Sequence, residues 1–398
     1  MIVARPQFSP FDPPTRTLMG PGPSDVPPRV LQAMARPTVG HLDPAFAGMM
    51  DELMHLLRYA FQTTNAVTFP ISAPGSVGME ACFVNLVEPG DEVIVCRNGA
   101  FGGRMLENVV RTRGVPVVVD DDWGAPVSVD KVEAALAATP GARILAFVQA
   151  ETSTGALTDP RPLVELAHRH GCLTIVDAVT ALGGVPLEVD EWGIDAVYAG
   201  SQKCLSCPPG LAPVSFNERA LAKVKARKDP CPSWFMDLGL QLGYWSSGAR
   251  VYHHTAPVNA LYGLHEALLM LQEEGLEAAW ARHRRNHLAL VAGLEALGLR
   301  LLVQEQYRLP QLNMVVVPDG VDEAAVRGRL LAEHDLEVGA GLGALAGKVW
   351  RVGLMGYASR PDNVLACVRA FAAVLAGDGL GGSADEAAGA ALAVLGTG

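Results

Sequence analysis

AVYAGSQKCLSCPPG, Ala196 to Gly210, is the stretch from which the rest of the chain can be read. A short apolar run ends in Gly200-Ser201-Gln202, and a lone lysine, Lys203, sits just past its end. The Cys/Pro/Gly turn that follows stops the chain sharply, which leaves the lysine at a strand terminus rather than on a solvated helix. A protonated amine is a poor nucleophile; partial desolvation lowers its pKa and suits it to Schiff-base chemistry. A solitary lysine is ordinarily a surface residue. The segments upstream give this one its meaning.

Those segments alternate. Short β-rich runs occur at Val67–Ile71, Glu92–Cys96, Val115–Val119, Ile144–Val148, Leu173–Val176, Ala196–Ala199 and Leu211–Phe216, with helical patterns such as Val77–Val87, Val129–Ala138 and Pro162–His170 between most of them. Continuous apolar strands alternating with amphipathic helices predict an α/β fold, a mostly parallel seven-stranded sheet covered on both faces. Ligands in such folds collect beyond the carboxyl ends of the strands.

The 398 residues, 49% hydrophobic and 18% charged, are enough for two domains. Residues 1–19 read as a proline-rich irregular arm and 20–256 as a large domain. A long linking helix, broken near Gly275, and a small C-terminal α+β domain occupy 257–376; the Gly/Ala-rich residues 377–398 are expected to be a disordered tail. From Ala45 to Phe61 the apolar residues fall at helical spacing. A net charge of −11 with no basic run argues against nucleic acid or an anionic membrane as partner. The N-terminus lacks the apolar core of a signal peptide, and Leu288 to Val303 is interrupted by Glu295 and Arg300, so no span is expected. Seven scattered cysteines fit reduced thiols and a cytoplasmic location.

The unusual residues fall at the strand ends. Leu173-Thr174-Ile175-Val176-Asp177 is a buried strand ending in a carboxylate, which is costly there unless a cation meets it or backbone N–H groups of the next turn do. A protonated ring nitrogen is one such cation. Gly75-Ser76 opens a helix after the first strand and offers N–H groups to a phosphate. Phe101 offers a flat face to an aromatic ring. Glu151-Thr152-Ser153-Thr154-Gly155 supplies hydroxyls, and Gly20–Ser24, GPGPS, is either a close backbone approach to a ligand or a plain turn. There is no GK[ST] and no G-x-G-x-x-G, which disfavours nucleotides and a nicotinamide dehydrogenase. An anion cradle, a stacking partner, a pyridinium counter-ion and an imine-forming amine together suit pyridoxal 5′-phosphate.

With these motifs in hand, the sequence resembles the alanine–glyoxylate and serine–pyruvate aminotransferases, class V enzymes of fold type I. The likeness runs from GPGPSDVPPRV to GLMGY near Tyr357. Its most specific pieces are STGAL (Ser153–Leu157), VDAVTALGG (Val176–Gly184), GSQKCLSCPPG (Gly200–Gly210), YHHTAPV (Tyr252–Val258) and GAGLGALAGKVWRVGLMG (Gly339–Gly356). The resemblance implies that Lys203 carries the cofactor covalently, Asp177 pairs with its ring nitrogen and Ser153 reaches the ring. It implies that Gly75, Ser76 and Gln202 hold the phosphate, that Phe101 stacks, and that Arg351, with Gly22 and Ser153, binds the substrate. Tyr252 and Thr255 would reach the phosphate from a second subunit, making the site a property of a homodimer. The donor would be alanine or serine and the acceptor glyoxylate or pyruvate, with ureidoglycine an alternative donor. Two departures stand out: Phe101 occupies a position often held by tryptophan, and Pro74 and Ser76 replace the serine and histidine of animal relatives.

Other motifs carry less. Cys204-Leu205-Ser206-Cys207 is a CxxC without a second ligand pair. His283 and His287 are one turn apart with arginines between, which predicts a solvated helix face, and His253-His254 are expected to point opposite ways on a strand. A cysteine desulfurase would need a mobile-loop cysteine, and none lies between Cys231 and Cys367.

Overall fold

The computed structural model describes residues 5–246, 248, 250–377, 380 and 382–396. A seven-stranded sheet organises the larger part of the chain: β1 (Val67–Ile71), β2 (Glu92–Arg97), β3 (Val115–Asp120), β4 (Ala142–Val148), β5 (Leu173–Asp177), β6 (Ala196–Tyr198) and β7 (Ala212–Phe216). Their spatial order is β1-β7-β6-β5-β4-β2-β3. All point the same way except β7, which is antiparallel to both β1 and β6. Every residue of β1, β5, β6 and β7 is buried, which is why these strands read as unbroken apolar runs.

Helices form where cap and pattern agree. Asp43, Ser128 and Asp159 each accept a backbone N–H at the start of the helices Pro44–Phe61, Val129–Ala138 and Pro160–Arg169. The helix Gly75–Leu86 is different, because its N-cap is Pro74 and no side chain caps it.

The small domain is built on β8 (Leu312–Val316), β9 (Gly339–Ala340) and β10 (Val349–Gly353), with β10 between the other two. Two helices, Val258–Glu274 and Leu276–Ala296, meet at Gly275 and join the parts. The first of them packs Leu261, Leu264 and Leu268 into the large-domain core, whereas Leu290 and Leu294 of the second belong to the core around Trp350 and Phe371.

Three expectations need correction. The arm is not irregular throughout: Thr17–Leu18 pairs in parallel with Leu336–Glu337, and Met19 is fully buried. In the segment 377–398, Ala384–Leu395 is a helix capped by Ser383, with Ala387 and Ala391 buried in the small-domain core; residues 378, 379, 381, 397 and 398 lie outside the described residues. His283 and His287 are buried, not solvated: Gly356 N–H donates to His283 Nε2 at 2.9 Å, and His287 Nδ1 lies 2.6 Å from Asn313 Oδ1. The helical repeat explains the last point, since i and i+4 share the buried face of the helix Leu276–Ala296 while Arg284 and Arg285 are exposed.

Candidate active site

The carboxyl ends of β1, β2, β4, β5 and β6 lie along one edge of the sheet, and the turns leaving them converge on Lys203. Its side chain is buried, and Nζ donates to the carbonyl of Pro21. Gly22 packs against the same amine: a Cβ there would lie 2.5 Å from Nζ, and Gly22 has φ +99°. Ser24 fastens this strap to the lysine turn, its N–H donating to the Gln202 carbonyl at 3.1 Å and its hydroxyl to the Lys203 carbonyl at 3.0 Å. GPGPS is thus a close backbone approach to the Lys203 side chain. Burial, with Arg351 and Arg104 adding to it, brings the Lys203 pKa down to about 8.

Asp177 ends β5 and is buried. Oδ1 accepts the Val179 N–H and Oδ2 the Tyr198 hydroxyl, both at 2.8 Å. Burial raises its pKa to about 6 against those donors and the charge of Lys203. Arg351, on β10, reaches across from the small domain. Its Nε donates to Ala340 O at 2.6 Å and Nη1 to Thr152 O at 3.3 Å, and burial lowers its pKa to about 10. Among the described residues no carboxylate lies within ion-pair distance of Arg351.

The residues expected to form an anion cradle lie near one another at the end of β6. Gly75 packs on the end of β6, where a Cβ would sit 3.3 Å from Val179 Cγ2 and 3.4 Å from Ala199 O. Ser76 is exposed, and Gln202 keeps a buried side-chain oxygen without a hydrogen-bond partner. Phe101 lies in the first turn of the helix Ala100–Arg111, with the Arg104 guanidinium 4.8 Å from its ring centre. Ser153 is committed within the chain: its hydroxyl donates to Glu151 Oε1 at 2.6 Å and accepts the Ala100 N–H at 2.8 Å. The neighbouring Thr152 hydroxyl has no hydrogen bond among the described residues, although the residue is buried. Tyr252 and Thr255 are exposed and form no hydrogen bond to this cluster; the Tyr252 ring lies 5.4 Å from that of His41. The adjacent His253 and His254 are not on a strand, and their rings are perpendicular at 5.1 Å, with His254 Nε2 2.7 Å from Ser72 Oγ.

Several residues escaped the sequence reading. Tyr198 supports Asp177 from inside an apolar run, where nothing in the pattern marks its hydroxyl. Glu151 is fully buried, and burial raises its pKa to about 7. It lies three residues past the end of the apolar strand β4, whereas Asp177 is the last residue of its own strand. Cys204 and Cys207 are buried thiols whose pKa values burial raises to about 12, and the described residues hold no cluster of three metal-ligating side chains.

These residues fit pyridoxal phosphate: an uncapped helix start and the Gln202 side-chain amide, whose NH2 can donate, for the phosphate, a carboxylate at the sheet edge, and a desolvated amine under a glycine strap. Fold and site together define a fold type I pyridoxal-phosphate enzyme. Within that class the chain belongs to the class-V aminotransferases, whose family model matches residues 17–362. An alanine–glyoxylate aminotransferase from Nostoc sp. is 47% identical over 93% of this chain and 97% of its own, with a TM-score of 0.91. The ureidoglycine–glyoxylate aminotransferase of Bacillus subtilis is 40% identical over 97% and 99%, with a TM-score of 0.94. The alanine–glyoxylate aminotransferase of Callithrix jacchus is 39% identical over 92% of this chain and 89% of its own.

Proposed function

We propose that this aminotransferase moves the amino group of alanine or serine to glyoxylate or pyruvate in two half-reactions, with Lys203 as covalent attachment point and proton carrier. The convergence of a desolvated amine, a strand-end carboxylate and an unpaired arginine on one edge of the sheet carries this reading. Bound pyridoxal phosphate supplies an aldehyde that condenses with amines and a protonated ring that draws electrons from the substrate's α-carbon.

The chain's own residues supply the rest. With a pKa of about 8, Lys203 is roughly one quarter neutral at pH 7.5, against about 0.1% for an unperturbed lysine. That neutral fraction makes it a nucleophile, and as a free amine Lys203 would act as general base and acid, taking the substrate's α-proton and returning it to the carbon on the far side of the amino nitrogen. Asp177, held by Val179 and Tyr198, keeps a proton on the ring nitrogen. Arg351 grips the substrate carboxylate with its planar fork, and its bond to Thr152 O brings that fork to the sheet edge. Gly75, Ser76 and Gln202 would hold the phosphate, Phe101 would offer its face to the ring, and Thr152 or Ser153 would bound the pocket beside it.

A second copy of the chain completes the site through Tyr252 and Thr255. Support comes from the surface around them, where Trp234, Val251 and Tyr252 are each more than 60% exposed. A cytoplasmic location is part of the same reading and rests on seven free cysteines. No described helix is long and apolar enough to cross a membrane. Cys367 is buried inside the helix Pro361–Ala376, which leaves it unsuited to a desulfurase's mobile nucleophile. Ureidoglycine is the second donor to test, because the relative of that name covers the chain with a TM-score of 0.94. A half-reaction screen decides: candidate amino acids are added to the yellow protein and the donor is the one that bleaches it. Borohydride reduction and peptide mapping should place the adduct on Lys203; colourless loaded protein, or label on another lysine, defeats the proposal.

A further inference from the structure

The turn after β4 does more than supply hydroxyls. Glu151 Oε1 accepts the N–H of Ser153 at 3.0 Å and its hydroxyl at 2.6 Å. Oε2 accepts the N–H of Phe101 at 3.2 Å and, at a longer 3.4 Å, that of Gly102. The Ala100 N–H goes to Ser153 Oγ at 2.8 Å. Three consecutive N–H groups at the start of the helix Ala100–Arg111 therefore end on one carboxylate–hydroxyl pair borne by a different strand end. The helix has no cap of its own, since its N-cap is Gly99. That glycine is required by the clamp: a Cβ there would lie 2.5 Å from both Glu151 Cγ and Ser153 Oγ. Glu151 is fully buried and forms no ion pair among the described residues, so the N–H and hydroxyl of Ser153 and the N–H groups of the helix start are what offset its charge.

A carboxylate this costly is poorly explained by helix capping alone, which a serine or aspartate at position 99 would do locally. What the long-range clamp adds is a fixed distance between the helix start and the end of β4. Phe101, whose own N–H the clamp holds, carries the one large side chain among the three clamped residues. We infer that Glu151 is a positioning residue, which by clamping three N–H groups of this helix sets the height and tilt of the Phe101 ring against the cofactor ring. The inference rests on the reading that Phe101 stacks on the cofactor, and the two can fail separately.

The test is a double-mutant cycle in the holoenzyme with Glu151→Gln, Phe101→Leu and the pair. Glutamine keeps the size but turns one acceptor into a donor facing other donors. The readouts are the dissociation constant for pyridoxal phosphate and the visible circular dichroism of the bound chromophore, which reports how the ring is held. Each single variant should weaken binding by up to about tenfold, the ceiling set by ordinary aromatic stacking, and should change the dichroism. The pair should bind no more weakly than Phe101→Leu alone. Full additivity, or wild-type affinity and dichroism in Glu151→Gln, overturns the inference. Unchanged affinity and dichroism in Phe101→Leu overturns the stacking reading instead. Should Glu151→Gln fail to fold, Ser153→Ala releases the Ala100 leg and the hydroxyl bond to Glu151 while leaving the Phe101 and Gly102 legs, and should shift the dichroism in the same direction; wild-type dichroism there also overturns the inference.

Discussion

Replacing Gly22 by alanine puts a carbon 2.5 Å from Lys203 Nζ, 2.9 Å from Cδ and 3.0 Å from Cε. An ordinary contact is about 3.5 Å, so the amine must retreat by about 1 Å. Moving the end of a long side chain is cheap for folding. The backbone is not: φ +99° suits glycine, and an alanine held there costs about 1–3 kcal/mol. For a chain of this size that is a loss of a few degrees in Tm. Chemistry responds differently, because a reacting group misplaced by about 1 Å loses on the order of 10²-fold in rate. The expected signature of Gly22→Ala is thus a modest fall in Tm with a fall of about 10²-fold in kcat. Gly90→Ala is the control, since Gly90 has φ +85° and nothing within 4 Å of where its Cβ would be. It should show a similar Tm loss and wild-type kcat. Thermal unfolding and steady-state rates with the donor found in the half-reaction screen provide both numbers. If Gly22→Ala retained kcat within threefold of wild type, Gly22 would not be packed against the reacting amine and the strap would lose its role.

Lys203→Met should stabilise the apoprotein near neutral pH. The folded-state pKa lies about 2.5 units below the usual 10.5, a penalty of about 3 kcal/mol that is present in full below pH 8. Between about pH 8 and 10.5 the folded state has lost its proton and the unfolded state has not, so wild-type stability rises there and the advantage of methionine fades. Urea midpoints at pH 7 and pH 10 check this; an advantage that is absent, or equal at both, contradicts the burial of a charged amine. Arg351→Lys keeps a charge but loses the fork, and KM for the amino acid should rise about 10-fold or more with a smaller change in kcat. A wild-type KM would move the carboxylate site elsewhere.

How legible each part was depends on whether its signal is local. The seven strands of the central sheet are apolar on both faces, so β5 and β7 show in composition alone. Even β3, half exposed at the sheet edge, shows through Val117, Val118 and Val119. The C-terminal helix did not show, because AAGAALAV has the composition of a flexible tail. Small residues are what let it dock: Gly293 of the helix Leu276–Ala296 would bring a Cβ to 3.2 Å from Ala387 O, a closeness no single segment encodes. Within the site, Lys203 and Asp177 stood out as lone charged residues at strand ends. Glu151 also lies just past a strand end, but the hydroxyls beside it drew the reading. Gly22 and Ser24 reach Lys203 only because the N-terminal strap crosses back over the sheet edge, a contact between distant parts of the chain.

The buried charges explain why this edge of the sheet is a site and not simply a core. On the surface, Arg97 and Asp120 form an ion pair at 2.6 Å, and their pKa values move apart, the acid down and the arginine up. At the sheet edge the shifts run the other way: Glu151 and Asp177 rise while Lys203 and Arg351 fall, and burial is the largest cause in all four. None of the four is in an ion pair among the described residues. Each is tied instead to neutral dipoles: Lys203 to the Pro21 carbonyl, Arg351 to Ala340 O and Thr152 O, Asp177 to Val179 N–H and the Tyr198 hydroxyl, Glu151 to the N–H groups of Phe101 and Ser153. Had folding stability been the only demand, the opposite charges would have been paired or replaced by apolar groups, since unpaired buried charge is destabilising. Held apart on different strand ends, they keep their electrostatic capacity for a guest, which in the proposed function brings a carboxylate to Arg351, a cationic ring nitrogen to Asp177 and a carbonyl carbon to the amine of Lys203. An amino acid and a phosphorylated pyridine aldehyde together carry that set, so the same displacement from ordinary pKa values that weakens the fold makes this edge competent for transamination.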